Sequence, residues 1–142
     1  MPEISLDQAR AIIIAAHQAA TDKGLAAISI VVTDAGGALR AAERNDAAGP
    51  FGLSIAHAKA RTALGFRRSS IKTAAVFAAQ PAVVTGLADA TGGQFLPLGG
   101  GVVILGSEGE VIGGAGLAGG MPDIDHEVIA GAVAAAGLAI RD

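Results

Sequence analysis

Two pairs of β-prone runs, each closed by a tight turn, constrain this chain more than any other feature of its sequence. Ala27-Ile28-Ser29-Ile30-Val31-Val32-Thr33-Asp34 is a β-branched run suited to a largely buried strand. Asp34-Ala35-Gly36-Gly37 is a turn by composition, and Leu39 to Glu43 follows as a shorter strand. The second pair is Val102-Val103-Ile104-Leu105 and Val111 to Leu117, around the turn Ser107-Glu108-Gly109-Glu110. Strands joined this closely pair as hairpins. Helical spacing predicts a first helix over Ser5 to Lys23, with Ser5 as N-cap and Gln8 three residues on as in a capping box. Further helices are predicted over Phe51 to Phe66, over Ser70 to Ala79 with Pro81 as the stop, and from Pro122 and Asp123 to about Ile140. Thr85 to Gly101 has no clear assignment. The order α-β-β-α-α-β-β-α, with strands in adjacent hairpins, predicts an α+β fold with an antiparallel sheet.

Composition narrows the function classes. At 142 residues, the expectation is a single domain over 1–142. With no Cys, disulfides, thiolate metal sites and cysteine nucleophiles are excluded. A net charge of −3, and four Phe with no Tyr or Trp, argue against nucleic-acid binding. Mean hydropathy is high at +0.53. Even so, the charge-free stretch Thr73 to Ala88 is broken by Gln80, Pro81 and Gly86, so no membrane span is expected. The opening MPEISLDQAR lacks the basic region of a signal peptide, and a cytoplasmic location is expected. The 33 Ala and 21 Gly fill 54 positions. Small residues let backbones approach closely, but each buried Ala stabilises far less than the ~1.5–3 kcal/mol of a large apolar side chain. A small domain of this kind gains from association, so a homo-oligomer is expected; a compositional bias of the source genome would leave the same mark.

The candidate chemistry falls on a few residues. His17, His57 and His126 each lie on a predicted helix, readable either as ligands or proton carriers or as half-buried surface residues. Arg44-x-Asp46 precedes a helix carrying Lys59 and Arg61. A helix N-terminus favours an anion, and Arg grips a carboxylate in a bidentate fork, so this junction reads as an anion pocket. It reads equally as an Arg–Asp pair pinning the loop. Gly99-Gly100-Gly101 comes before a strand and not after one, and no phosphate-binding Gly-Lys-Ser/Thr loop is present. These glycines, with Gly113, Gly114, Gly116, Gly119 and Gly120, signal a close backbone approach to another strand or a flat ligand.

Val31 to Gly37, Arg44-Asn45-Asp46-Ala47, Ile55-Ala56-His57-Ala58-Lys59-Ala60-Arg61-Thr62-Ala63, Pro97-Leu98-Gly99-Gly100-Gly101 and Ile112 to Gly119 resemble, in order and spacing, the GlcG/HbpS family of heme-binding or heme-degrading domains, which includes the C-terminal domain of PduO. The resemblance covers nearly the whole chain. The loop Asn45-Asp46-Ala47-Ala48-Gly49-Pro50 departs from the family's commoner Asp-Gly-Ala form. The resemblance implies a profilin-like sandwich, with a central antiparallel sheet of about five strands between helices, assembled into rings or octamers. It implies heme, or another anionic tetrapyrrole, as ligand, and for some members a place in a catabolic operon.

Without Cys or Tyr, the axial candidates are His17, His57, His126, Met1 and Met121, and His17 is the nearest match to the first-helix His of the PduO-type branch. Two functions follow. The first is a binding protein, holding a flat anionic molecule between Gly99-Gly100 and the second helix, with its propionate-like groups on Arg44 or Lys59 and with Asp46 also among the binding residues. The second is a cofactor-free isomerase, lyase or hydrolase of a small organic acid, with Arg44 on the carboxylate and His57 or Asp46 moving a proton. An accessory subunit without either role is the third reading. The first reading needs Arg44 and Lys59 to converge on one cavity.

Overall fold

The computed structural model describes residues 2–142, so Met1 lies outside the described residues. Helix α1 (Leu6–Asp22) starts at the expected capping box: Ser5 Oγ accepts the Gln8 N–H at 3.1 Å, and Gln8 Oε1 accepts the Ser5 N–H at 2.9 Å. Strands β1 (Ser29–Asp34) and β2 (Leu39–Arg44) form the first hairpin. Its turn is fixed by Asp34 Oδ1, which accepts the N–H groups of Gly36 and Ala38, and by Gly37 at φ 87°, a value only glycine adopts freely. Helices α2 (Gly52–Phe66), α3 (Ser70–Phe77) and α4 (Pro81–Ala90) follow. Strands β3 (Gly101–Leu105) and β4 (Val111–Ala118) form the second hairpin, and α5 (Pro122–Ala135) and β5 (Ala139–Arg141) complete the chain.

The five strands form one antiparallel sheet in the order β2-β1-β4-β3-β5, with helices on both faces, as the α+β expectation had it. Alternation along the strands divides the core. Ile30, Val32, Val102, Ile104 and Leu117 point to one face and pack with Ile12, Ile13, Val128 and Ile129 of α1 and α5. Val31 and Ala118 point to the other face, beneath Ala56 and Leu53 of α2. Two elements differ from the sequence reading. Pro81, expected as a stop, is also the first residue of α4, where its missing N–H costs nothing. The last helix ends at Ala135 rather than near Ile140, because Gly137 takes φ 80° and turns the chain back as β5 along β3. Among the described residues, no helix is long and apolar enough to cross a membrane.

Candidate functional site

Helix α2 positions most of the candidate residues. It lies on the sheet along a face made by Ala56, Lys59, Ala60 and Ala63, all buried. The strands beneath have no side chains in the way. A Cβ on Gly116 would collide with the Ala56 carbonyl, and one on Gly101 with the Lys59 carbonyl. The close approach expected from the glycines is therefore real, but its partner is a helix backbone. Gly99 and Gly100 are buried as well: a Cβ on Gly99 would meet the Pro122 carbonyl, and one on Gly100 would lie 2.6 Å from the Leu117 oxygen. This corrects the expectation of a flat ligand against Gly99 and Gly100, because protein fills that space.

Lys59 is corrected in the same way. Its side chain is 4% exposed, and its Nζ donates to Asp125 Oδ2 at 3.1 Å and to the Leu117 carbonyl at 3.0 Å. Asp125, fully buried on α5, also accepts the Gly120 N–H at 2.8 Å. This is a closed ion pair joining α2, β4 and α5, with every contact supplied by the protein. The Lys59 amine is thus committed inside the molecule and does not converge with Arg44 on a shared cavity.

Arg44 ends β2 and is exposed; its Nη1 donates to the Ala48 carbonyl at 3.4 Å. The pin of the loop is Asn45, whose Oδ1 accepts the Ile28 N–H and whose own N–H donates to the Ile28 carbonyl, both at 3.0 Å. Asp46 is exposed and makes no ion pair with Arg44. His57 sits at the opposite end of that strand, where its Nε2 is 2.8 Å from the Gly37 carbonyl. About 16 Å of strand β2 separates the two ends at the usual rise per residue, so Arg44, Asp46 and His57 do not form one catalytic set. A carbonyl can only accept, so His57 carries a proton on Nε2.

His17 lies on the other side of the sheet. Its Nε2 contacts Glu43 Oε1 at 2.8 Å across α1 and β2, with the ring 31% exposed. Arg10 and Ile14 precede it at helical spacing and share its stripe of α1. Ile14 is 66% exposed, a large apolar side chain left open at the surface of the described residues. His126 is half-buried on α5 and its Nδ1 has no hydrogen-bond partner among the described residues. Met121 is exposed.

Arg61, a neighbour of Lys59 in sequence, belongs to a different face of α2 and has a different role. It stands one turn after His57 on the outer side of α2, and its Nε–H donates to the same Gly37 carbonyl at 3.1 Å. The signal was present in the sequence: His57 and Arg61 are four residues apart, and so share a face opposite the alanines.

Residues 4–134 match the family model described as haem-degrading protein HbpS-like. The chain belongs to the HbpS-like family. Similar solved structures include a PduOC–heme complex, at TM-score 0.86 and 24% identity over 99% of both chains. The Klebsiella pneumoniae protein ORFY has TM-score 0.86 and 25% identity over 96% of this chain and 92% of its own. A double mutant of Streptomyces reticuli HbpS has TM-score 0.81 and 28% identity, over 94% of this chain and 87% of its own. No curated protein matches the sequence. As an HbpS-like chain, this one keeps the family's sheet and helix layers and places His17 on the first helix.

Proposed function

We propose that this protein binds heme or a closely similar anionic tetrapyrrole, with His17 as the iron ligand. The observation that carries the reading is the stripe Arg10, Ile14 and His17 on α1. It sets a half-buried imidazole beside an uncovered apolar side chain, with a cation one turn before Ile14 and about two turns before His17. Those are the three chemistries that an iron porphyrin with propionates needs. Family membership supports the reading, as does the likeness to a PduOC–heme complex. His17 has one ring nitrogen on Glu43, and the other carries no hydrogen bond among the described residues. A carboxylate so placed fixes the orientation of a ligating imidazole. Ile14 would lie against the macrocycle, and Arg10 would take a propionate. Bound heme would supply an iron centre for redox chemistry or simply a cargo; the chain's part is to hold, orient and shield it.

Self-association belongs to the same proposal. Helix α4 buries none of its residues, although it carries Val83, Val84 and Leu87. A groove of about 420 Å³ between α3, α4 and the 96–98 segment is lined by Phe77, Val84, Leu96 and Leu98. A second copy of the chain covering this face would explain why so apolar a helix lies open. An assembly as large as an octamer fits the abundance of small residues.

A heme titration read in the Soret band tests the ligand assignment. The unmodified protein and the His57→Ala and His126→Ala variants should give a saturable shift, and His17→Ala should lose it. An identical shift in His17→Ala would remove the assignment. Light scattering at micromolar concentration tests self-association, which a monomer mass would refute.

A further inference from the structure

Three adjoining cavities run along the outer side of α2, and Arg61 and Gln94 line all of them. The largest, about 360 Å³, has Phe66 and Phe95 in its wall. The other two, about 230 and 210 Å³, open toward the β1–β2 turn and toward His57 and Gly92-Gly93 respectively. From this groove we infer a second binding site, for a small carboxylate carrying an aromatic or similarly flat apolar body. The inference is independent of the heme reading, whose residues lie on the opposite side of the sheet.

Arg61 is held still before any ligand arrives. Its stem packs on Gly37, where an added Cβ would come within 3.2 Å of Arg61 Cγ. Its Nε–H and the His57 Nε2–H both donate to the Gly37 carbonyl. The two Nη groups make no hydrogen bond among the described residues. Arg61 takes part in none of the ion pairs among the described residues. A half-buried, oriented guanidinium without a carboxylate is an incomplete ion pair. A bidentate anion on the Nη groups completes it, and the geometry is already set.

The wall next to Arg61 indicates what that anion is attached to. The Phe66 and Phe95 rings lie 5.3 Å apart at an interplanar angle of 49°. Phe95 is buried, whereas Phe66 is left partly open to the cavity. An aromatic ring placed there gains offset or edge contacts, and the volume is at the small end of ligand pockets. Free phosphate would satisfy Arg61 but leave this apolar wall wet. A carboxylate bearing a ring satisfies both.

The test is an amide-resolved NMR titration with benzoate, benzyl alcohol, acetate and inorganic phosphate as probes. Benzoate should give saturable shifts at Arg61, Gly65, Phe66, Gln94 and Phe95, and bind at least about tenfold more tightly than the other three. Arg61→Gln should weaken benzoate by about tenfold or more. Gly65→Leu should abolish binding, because Gly65 lines two of the cavities and a Cβ there meets nothing within 4 Å. Shifts that do not saturate, or that fall elsewhere, overturn the proposal, as does unchanged affinity in Arg61→Gln. The comparison of benzoate with benzyl alcohol needs no variant: equal affinity removes the guanidinium from the site. Phosphate or acetate binding as tightly as benzoate removes the aromatic half.

Discussion

Replacing Gly116 with Ala tests the closest packing in the molecule. Helix α2 crosses β4 at this residue. The added methyl would overlap the Ala56 carbonyl oxygen, and would lie 2.8 Å from its carbon and 3.2 Å from the Ala60 nitrogen. All three atoms are backbone, so no side chain can swing aside, and the helix has to lift by on the order of 1 Å. It cannot lift alone. The same face carries Lys59, whose amine sits 3.1 Å from Asp125, and whose carbonyl lies over Gly101. Overpacking by itself costs about 1–3 kcal/mol. Stretching the buried pair adds part of the ~3–5 kcal/mol that a broken one costs. We expect a loss of about 3–5 kcal/mol, a large share of the ~5–15 kcal/mol that stabilises a domain. The control is Gly131→Ala on α5, the same chemical change where a Cβ meets nothing within 4 Å. There the helix should gain about 0.5–1 kcal/mol. Urea denaturation followed by circular dichroism reads both midpoints. A Gly116→Ala protein within about 0.5 kcal/mol of the parent would refute the packing argument, since mutations free of steric conflict stay in that range.

Three further outcomes are expected from the same assay. Lys59→Met should cost about 3–5 kcal/mol by leaving Asp125 charged and unpaired in the interior, and pairing it with Asp125→Leu should recover enough to give a coupling above about 1 kcal/mol in a double-mutant cycle. Ser5→Ala should cost about 1 kcal/mol by opening the capping box at the start of α1. Arg67→Gly should stabilise by about 0.5–1 kcal/mol, because Arg67 caps α2 at φ 56°, a left-handed conformation that glycine adopts without a Cβ penalty.

The hairpins and the first helix were legible because their signals are local. Asp34 and Gly37 set one turn through bonds within five residues, and Ser5 with Gln8 sets the cap. Pro81 was only half legible: a proline that cannot continue one helix is equally suited to begin another, and nothing local distinguishes the two. Strand β5 was hidden because three residues carry little pattern, and their partner, β3, lies more than thirty positions earlier. The anion pocket failed for a different reason. Arg44 and Lys59 are near in sequence, but Lys59 belongs to the small-residue side of α2. Its role was decided by Asp125, sixty-six positions away. At about 100° per residue, Lys59 and Arg61 point to nearly opposite sides of the helix. One is therefore a structural cation and the other a free one, and the alanines at 56, 60 and 63 already marked which side was inward.

This division of α2 bears on how such a fold accommodates different ligands. Its inner face has no slack: two strand glycines sit against helix backbone, and its buried polar side chains, Lys59 and Thr62, are hydrogen-bonded. Change there moves the sheet. The outer face is different, since Gly65 has open space above it and the Arg61 Nη groups have no partner among the described residues. A side chain added at position 65 enters open space, so binding there can change while the layers beneath stay fixed. The same holds on α1, where Ile12, Ile13 and Ala16 face the core and Arg10, Ile14 and His17 face outward. Both proposed sites thus occupy the free side of a helix whose other side is committed to the core. Family membership therefore constrains the fold of this chain far more tightly than its ligands.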